Sequence, residues 1–95
     1  MENRVAVISI IVQKGTDVRE LNELLHRYGE YVIGRMGVPY HQRDVGIICV
    51  AMDAPANVIS ALSGKLGRLS GITTKTVYAP AEALETPGTL PQKEK

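Results

Sequence analysis

The sequence lacks tryptophan and phenylalanine, so a hydrophobic core has to be built from valine, isoleucine, leucine, alanine and the four tyrosines. It has a single cysteine, Cys49, which excludes an internal disulfide and fits a reducing compartment. It also lacks an excess of either charge: 11 basic and 10 acidic residues give a net charge of +1. This balance offers no electrostatic reason to expect direct nucleic-acid binding or a membrane partner.

Long apolar segments and a targeting signal are missing as well. The first apolar run is too short to cross a bilayer, and Glu2 and Arg4 lead into it without a cleavage pattern. We therefore expect a cytoplasmic protein. At this length the chain predicts a single domain, which we place at residues 1–79. Residues 80–95 hold several prolines and little apolar content, and we expect a mostly disordered tail there.

Four segments have the composition of β-strands. RVAVISIIV at 4–12 and GIICVAM at 46–52 are apolar on both alternating faces, which predicts central strands that are covered on both sides. The run at 31–38 is interrupted by two glycines and Arg35. ITTKTVY at 72–78 is more polar and suits a sheet edge.

Two segments have helical periodicity. In the first, Asp17 is the predicted N-cap and Glu20 would complete a capping box, with Gly29 as the stop. Its apolar stripe comprises Val18, Leu21, Leu24, Leu25 and Tyr28. The second helix is predicted to open at Asp53-Ala54-Pro55, with proline in its first turn. Its stripe comprises Val58, Ile59, Leu62, Leu66 and Leu69. Close packing would explain Gly64 in its interior.

The order of these elements is strand–helix–strand repeated twice. The right-handed crossover rule and the hydrophobicity of the strands place the first and third strands in the centre. The predicted fold is therefore α+β, a ferredoxin-like βαββαβ arrangement with a four-stranded antiparallel sheet and both helices on one face.

Two helices cover only one face of such a sheet. On the first strand, Val5, Val7 and Ile11 point one way, and Ala6, Ile8, Ile10 and Val12 point the other. On the third strand, Ile47, Cys49 and Ala51 oppose Ile48, Val50 and Met52. Both sets are apolar, so one apolar face is left without cover. Monomers rarely expose a contiguous apolar patch of this size. We therefore expect a homo-oligomer, a dimer or tetramer, that packs through the open sheet face, an edge strand or both.

Few residues have a chemistry that suggests a site. His41 and Cys49 have metal-ligand character, but two ligands are too few for a closed site unless a symmetric dimer supplies four. A solvated loop histidine and a buried structural cysteine are the simpler interpretation. The turn Gly15, Thr16, Asp17 at a helix start offers backbone amides to an anion or carboxylate, although an ordinary cap explains it too.

Arg35 lies inside an otherwise apolar strand. It could extend to water, pair with Glu30 or Asp44, or bind a ligand carboxylate across a subunit boundary. The run SGKLG is not a phosphate-binding loop, because the first glycine of that motif is absent and Leu66 replaces serine or threonine. No paired carboxylates and no serine with a placed base stand out, so the residues give no case for an enzyme.

The segments YVIGRMGVPY and DAPANVISALSGKLGRLSGITTKTVY resemble a small family of proposed regulators of the iron-only hydrogenase system. The similarity runs from about Arg4 to Tyr78. It implies an ACT-like fold and a cytoplasmic regulatory or ligand-binding module. ACT domains that bind small molecules place them near the first turn and helix at a subunit interface. By analogy of fold the ligand-binding region would be Gly15, Thr16, Asp17 and Val18, with Arg35 across the boundary.

A more distant likeness is to the metal-binding domain of nickel-responsive repressors. Its ligand pattern is His-x-His, five residues, then Cys, and HQRDVGIIC keeps His41 and Cys49 at that spacing. Arg43 replaces the middle histidine, so the resemblance implies a transition-metal sensor only as the alternative. Without a DNA-binding segment before the first strand, any control of transcription would act through a partner.

Two other functions are known for this strand order. An RNA-recognition domain needs aromatic residues on the two central strands, and neither strand has one. An acylphosphatase-like enzyme needs an arginine in the first turn, where Lys14 is a poor substitute for a bidentate fork. The leading hypothesis is therefore a non-catalytic oligomeric module that binds a small-molecule effector or a protein partner.

Overall fold

The computed structural model describes residues 2–80. The chain forms β1 (Asn3–Gln13), α1 (Arg19–Arg27), β2 (Val32–Tyr40), β3 (Val45–Pro55), α2 (Ala56–Gly67) and β4 (Ile72–Tyr78), with a short 3-10 turn at Gly29–Tyr31. This is the predicted βαββαβ order. The tail predicted beyond Pro80 lies outside the described residues.

The strands form one antiparallel sheet in the order β2-β3-β1-β4. Ile8 of β1 pairs with Val50 of β3 and with Thr76 of β4, and Arg35 of β2 pairs with Val50 from the other side. The two most apolar strands are therefore central, as their composition predicts. The structure confirms a ferredoxin-like α+β fold.

The core lies between one face of this sheet and the two helices. Alternate residues of β1, from Ala6 to Val12, point toward the helices together with Val50, Met52 and Ala54 of β3. The helices contribute their own apolar stripes, and the fully buried members from the helices are Leu21, Ile59, Leu62 and Leu66. Removing this surface from water is the main source of stability in a chain without tryptophan or phenylalanine.

Both helices begin later than the sequence predicts. The N-cap of α1 is Val18 rather than Asp17, and Asp17 instead accepts the backbone N–H of Arg19 at 3.0 Å. Val18 is 38% exposed and does not belong to the buried stripe. Pro55 is the N-cap of α2, because β3 continues through it in extended conformation (ψ 146°). Proline fixes φ but not ψ, so Pro55 can stand either at the end of a strand or in the first turn of a helix.

The β2–β3 hairpin is tighter than predicted, because Tyr40 pairs with Val45 and leaves only residues 41–44 as the connection. Asp44 closes it with a positive φ of 58°, a conformation that aspartate tolerates. Gly64 is not explained by close packing: a Cβ built there meets nothing within 4 Å. The prediction of a packing role for this glycine is wrong.

The second face of the sheet has no helix over it. Side chains of all four strands share it, and we call this surface the open face. Its exposed large apolar residues are Val7, Ile11, Met36, Val38, Tyr40, Ile47 and Val77. Their exposed fractions run from 36% to 64% in the single chain. The predicted mismatch between apolar sheet surface and helical cover is present.

The first and last strands are joined where the described chain ends. Ala79 donates its backbone N–H to the carbonyl of Val5 at 2.8 Å, and the Arg4 guanidinium donates to the Ala79 carbonyl at 3.2 Å. The same guanidinium lies 4.9 Å from the centre of the Tyr78 ring, within cation–π range. Both ends therefore leave from one corner of the sheet.

Candidate functional site

A cleft of about 820 Å³ lies at the opposite end of β1, where two loops meet. One loop follows β1 and contains Lys14, Gly15, Thr16 and Asp17, and the other joins α2 to β4 at residues 69–71. The first turns of α1 complete the wall with Arg19, Glu20 and Glu23. We call this the loop cleft. It brings together three of the predicted ligand residues, and Val18 does not line it.

The two loops are fastened through the carbonyl of Gly71. This oxygen accepts the backbone N–H of Gln13 at 2.9 Å and lies 3.5 Å from the Thr16 hydroxyl. Gly71 has φ +79°, and a Cβ there would overlap Thr16 Oγ1. Only glycine combines this backbone conformation with so close an approach. The sequence places a Ser-Gly turn here, but nothing in it links that turn to Thr16.

Asp17 occupies the anion position that the sequence assigns to a ligand. Its carboxylate accepts the Arg19 backbone N–H and also holds the Arg19 guanidinium, with Nη2 2.6 Å from Oδ2. The hydrogen bonds from Arg19 hold the pKa of the Asp17 carboxyl below its ordinary value. A carboxylate ligand would have to displace this side chain. The geometry favours the simpler interpretation of Asp17 as a group that satisfies the helix start.

The remaining charge of the loop cleft is acidic. Lys14 Nζ lies 3.7 Å from a carboxylate oxygen of Asp44, and Arg19 is paired with Asp17. Glu23 pairs with Arg27, one turn further along α1, at 3.4 Å. Within residues 2–80, Glu20 has no ion-pair partner within 4.0 Å. The wall therefore presents carboxylate charge to any molecule that enters, which suits a cationic or amino group.

Arg35 does not reach the loop cleft within one subunit. It pairs with Val50, and Val50 pairs with Ile8, five residues before the end of β1. At ~3.3 Å per residue and ~4.8 Å per strand, Arg35 is on the order of 20 Å away. It is exposed and forms no ion pair with residues 2–80. Of the options open for Arg35, pairing with Glu30 or Asp44 is therefore not the one observed. Any shared role with Gly15 or Thr16 requires a second subunit.

His41 and Cys49 are also apart in the single chain. His41 follows Tyr40, which pairs with Val45, and Cys49 stands four residues further along β3. Four strand residues span about 13 Å, whereas two ligands of one ion lie within roughly 4 Å of each other. One subunit cannot supply both ligands to one metal. A site using both residues needs donors from different subunits.

Neither a metal cluster nor a membrane span is found in the part of the chain that the structure describes. Residues 2–80 contain no group of three or more His, Cys, Asp or Glu side chains placed to hold an ion. In the same range, no helix is long and apolar enough to cross a bilayer.

The topology and the paired loops place the protein among small ferredoxin-like α+β domains. The chain belongs to the family described as "TM1266-like: Iron-only hydrogenase system regulator, putative", whose model matches residues 4–76. This confirms the resemblance carried by the GRMG and ALSGKLGRL segments.

The solved structures similar to this chain include the following two. An uncharacterized protein, TM1266 from Thermotoga maritima, is 36% identical and superposes with a TM-score of 0.79, over 83% of this chain and all of that one. A formyltetrahydrofolate deformylase from Pseudomonas putida KT2440 is 15% identical, with a TM-score of 0.53 over 80% of this chain and 29% of that one. The second likeness concerns the fold alone. The search of curated proteins returns no match.

Proposed function

We propose that this protein is a non-catalytic ACT-like regulatory module of an iron-only hydrogenase system, which works in the cytoplasm as a homo-oligomer. Its effector would be a small molecule or a protein partner bound near a subunit interface. Membership of a family described as regulators supports the regulatory role. The apolar open face supports assembly, because that surface is costly to leave in water.

The loop cleft is the feature that carries the ligand-binding part of the proposal. Its walls come from two loops fastened at Gly71, so a molecule bound there would bridge β1, α1 and β4. Glu20, which has no ion-pair partner among residues 2–80, favours a ligand with an amino group, while Asp17 already fills the position for a carboxylate. We therefore expect an amine or amino-acid effector rather than a simple anion.

A thermal-shift screen tests this proposal. The purified protein is mixed with amino acids, polyamines and nucleotides, and a ligand that binds the folded state raises the melting temperature with its concentration. We expect an amine-bearing compound to give the shift and Glu20→Gln to reduce it. Glu2→Gln, which removes an acidic charge far from the loop cleft, is the matched control and should keep the full shift. A screen without any shift would contradict small-ligand binding.

The alternative function is a metal sensor that uses His41 and Cys49 from different subunits. The position of Cys49 on the open face is the observation in its favour, because a second copy covering that face would bring new donors to the thiol. Titration with Ni²⁺ and Zn²⁺ tests it. Uptake that is lost in Cys49→Ala would support the sensor, and uptake unchanged in that variant would exclude it.

A further inference from the structure

The open face is uneven, because large and small side chains alternate along it. Cross-strand partners share a face, so its side chains form rows across the sheet. One row is tall and apolar and joins Val38, Ile47 and Ile11. Along the strands from this row, the surface drops into a shallow depression of about 280 Å³ over Gly34, Ala51 and Cys49. Val7, Arg35 and Met36 complete its lining.

The depression and the tall row lie on opposite sides of the row that contains Cys49 and Ser9. Ala51 is two residues from Cys49 in one direction along β3, and Ile47 is two residues away in the other. Consider a two-fold axis that lies between two facing sheets and runs along this row, perpendicular to the strands. Such an axis places the tall-row side of one copy opposite the depression side of the other. It would lay the tall row of one copy into the depression of the other, with the strands of the two copies antiparallel.

We propose that the open face is the docking site of a second copy of this chain, held in that two-fold arrangement. The proposal deepens the oligomeric part of the proposed function, on which it rests, by naming the surface and its fit. It predicts that Ile47 of each copy fills the space over Ala51 and Gly34 of the other. The Cys49 thiols of the two copies would then lie near the axis, covered from solvent.

Composition favours a second copy over an unrelated partner. The rows contributed by β1, β2 and β3 hold no charged side chain between Val7 and Ile11, which is the pattern of a homodimer interface rather than a transient one. Charged residues stand at the margins: Lys75 is on the outer strand β4, Arg35 lines the depression, and Asp53 pairs with Val5 in the next row. The net charge of +1 opposes self-association only weakly.

The size of the surface is also adequate. Four strands at ~4.8 Å and the length from Val5 to Gln13 give a face of about 19 by 27 Å. This is roughly 500 Å² before side-chain relief, against roughly 600 to 1,000 Å² per partner in a stable interface. The planar estimate lies just below this range, and the accessible surface of protruding side chains is larger than its planar projection.

Sedimentation and light scattering of the full chain measure the association. We expect a dimer at micromolar concentration and a dissociation constant at least roughly a hundredfold higher for Ile47→Asp, because an unpaired charge would be buried at the seam. Val18→Asp is the matched control, since Val18 is similarly exposed but lies off the open face, and its dissociation constant should not change. A dimer that survives Ile47→Asp with unchanged affinity would overturn the proposal.

Cys49 supplies an independent reporter of the covered face. It is the single thiol and is partly exposed in one chain. Its reaction rate with a disulfide reagent therefore reports how much of the open face is accessible to solvent. We expect the rate to rise on dilution and to be high at all concentrations in Ile47→Asp. A thiol in the dimeric wild type that reacts as fast as the thiol of Ile47→Asp would place the interface elsewhere and overturn the proposal.

Gly34→Leu tests the fit without introducing a charge. A Cβ at Gly34 meets nothing within 4 Å, so the single chain has room for a side chain to begin there. We expect at least a tenfold weaker dimer, because the leucine fills the depression; unchanged or tighter association would overturn the arrangement. Circular dichroism checks that both variants fold. A monomeric wild type would contradict assembly itself, while the ligand screen on the same protein decides the effector half of the proposed function separately.

Discussion

Ile10 and Ile11 are neighbours on β1 with identical side chains, yet Ile10 is fully buried beneath the helices and Ile11 is 39% exposed on the open face. The same contrast extends across the sheet, because both of its faces are apolar and only one is covered. Burial is therefore decided by what packs against a face and not by its composition. A sheet that is apolar on both sides carries information about a partner as well as about its own fold.

The largest expected effect tests this contrast directly. Ile10→Ala should lower the free energy of unfolding by about 2–5 kcal/mol, because it opens a cavity in the closed core. Ile11→Ala removes the same atoms from a half-wet position and should cost about 1 kcal/mol or less in the single chain. Urea denaturation at low protein concentration measures both. Equal losses would contradict the distinction between the two faces.

Gly71, in the loop between α2 and β4, and Gly64, in α2, compare a constrained position with an open one on the helix-covered side of the sheet. Gly71→Ala should destabilise by about 2 kcal/mol or more, since φ +79° and the contact with Thr16 both oppose a Cβ. Gly64→Ala in α2 is the control and should stabilise by up to about 1 kcal/mol, because its site is open and helical. Adding Thr16→Ala to Gly71→Ala should restore part of the loss. Thermal unfolding of these three variants and the wild type measures the differences, and a Gly71→Ala variant as stable as Gly64→Ala would contradict the assigned strain.

A smaller effect is expected where α2 meets β4. The Thr76 hydroxyl donates to Ser63 Oγ at 3.0 Å on the covered side, so Thr76→Val should cost about 1 kcal/mol. Thr73 is exposed on the open face of the same strand, and Thr73→Val should leave the stability of the single chain nearly unchanged. Denaturant midpoints measured in parallel compare the two. A loss in Thr73→Val as large as in Thr76→Val would argue against the assigned faces.

The smallest expected effect concerns a fully exposed ion pair. Arg19 depresses the pKa of Asp17, so this pair contributes stability above the ordinary carboxyl value of 3.8 and loses it as the pH falls through the lower pKa of the folded state. Asp17→Asn should therefore melt slightly below the wild type at neutral pH, and the difference should vanish in acid. A difference that grows on acidification would show that the sign is wrong.

Much of the fold follows from residue patterns. The double-sided apolar runs at 4–12 and 46–52 identify the central strands, and the polar Ile72–Tyr78 strand is found at the edge with the predicted bounds. The ends of the helices and strands are predicted less accurately from the sequence. Asp17 bonds an amide two residues ahead from outside α1, and Pro55 suits the end of β3 as well as the start of α2. Both residues are compatible with either boundary, so local chemistry alone does not decide.

The candidate site was predictable in part. The sequence identifies the turn at Gly15 and Thr16, but the second wall of the loop cleft comes from Gly71, 55 positions from Thr16, and only the fold brings them together. The spacing of His41 and Cys49 similarly says nothing about distance until the hairpin pairs Tyr40 with Val45. Sequence separation becomes spatial separation through strand register, which no short motif encodes.

The link between Arg4 and Ala79 has a practical consequence for labelling. Because β1 begins and β4 ends at one corner, a fluorophore placed beside Asn3 would stand about 30 Å along the strand from the loop cleft. A second dye on Ser70, in the wall of the loop cleft, would report ligand-induced movement of that loop by energy transfer, while the dye beside Asn3 stands clear of the cleft.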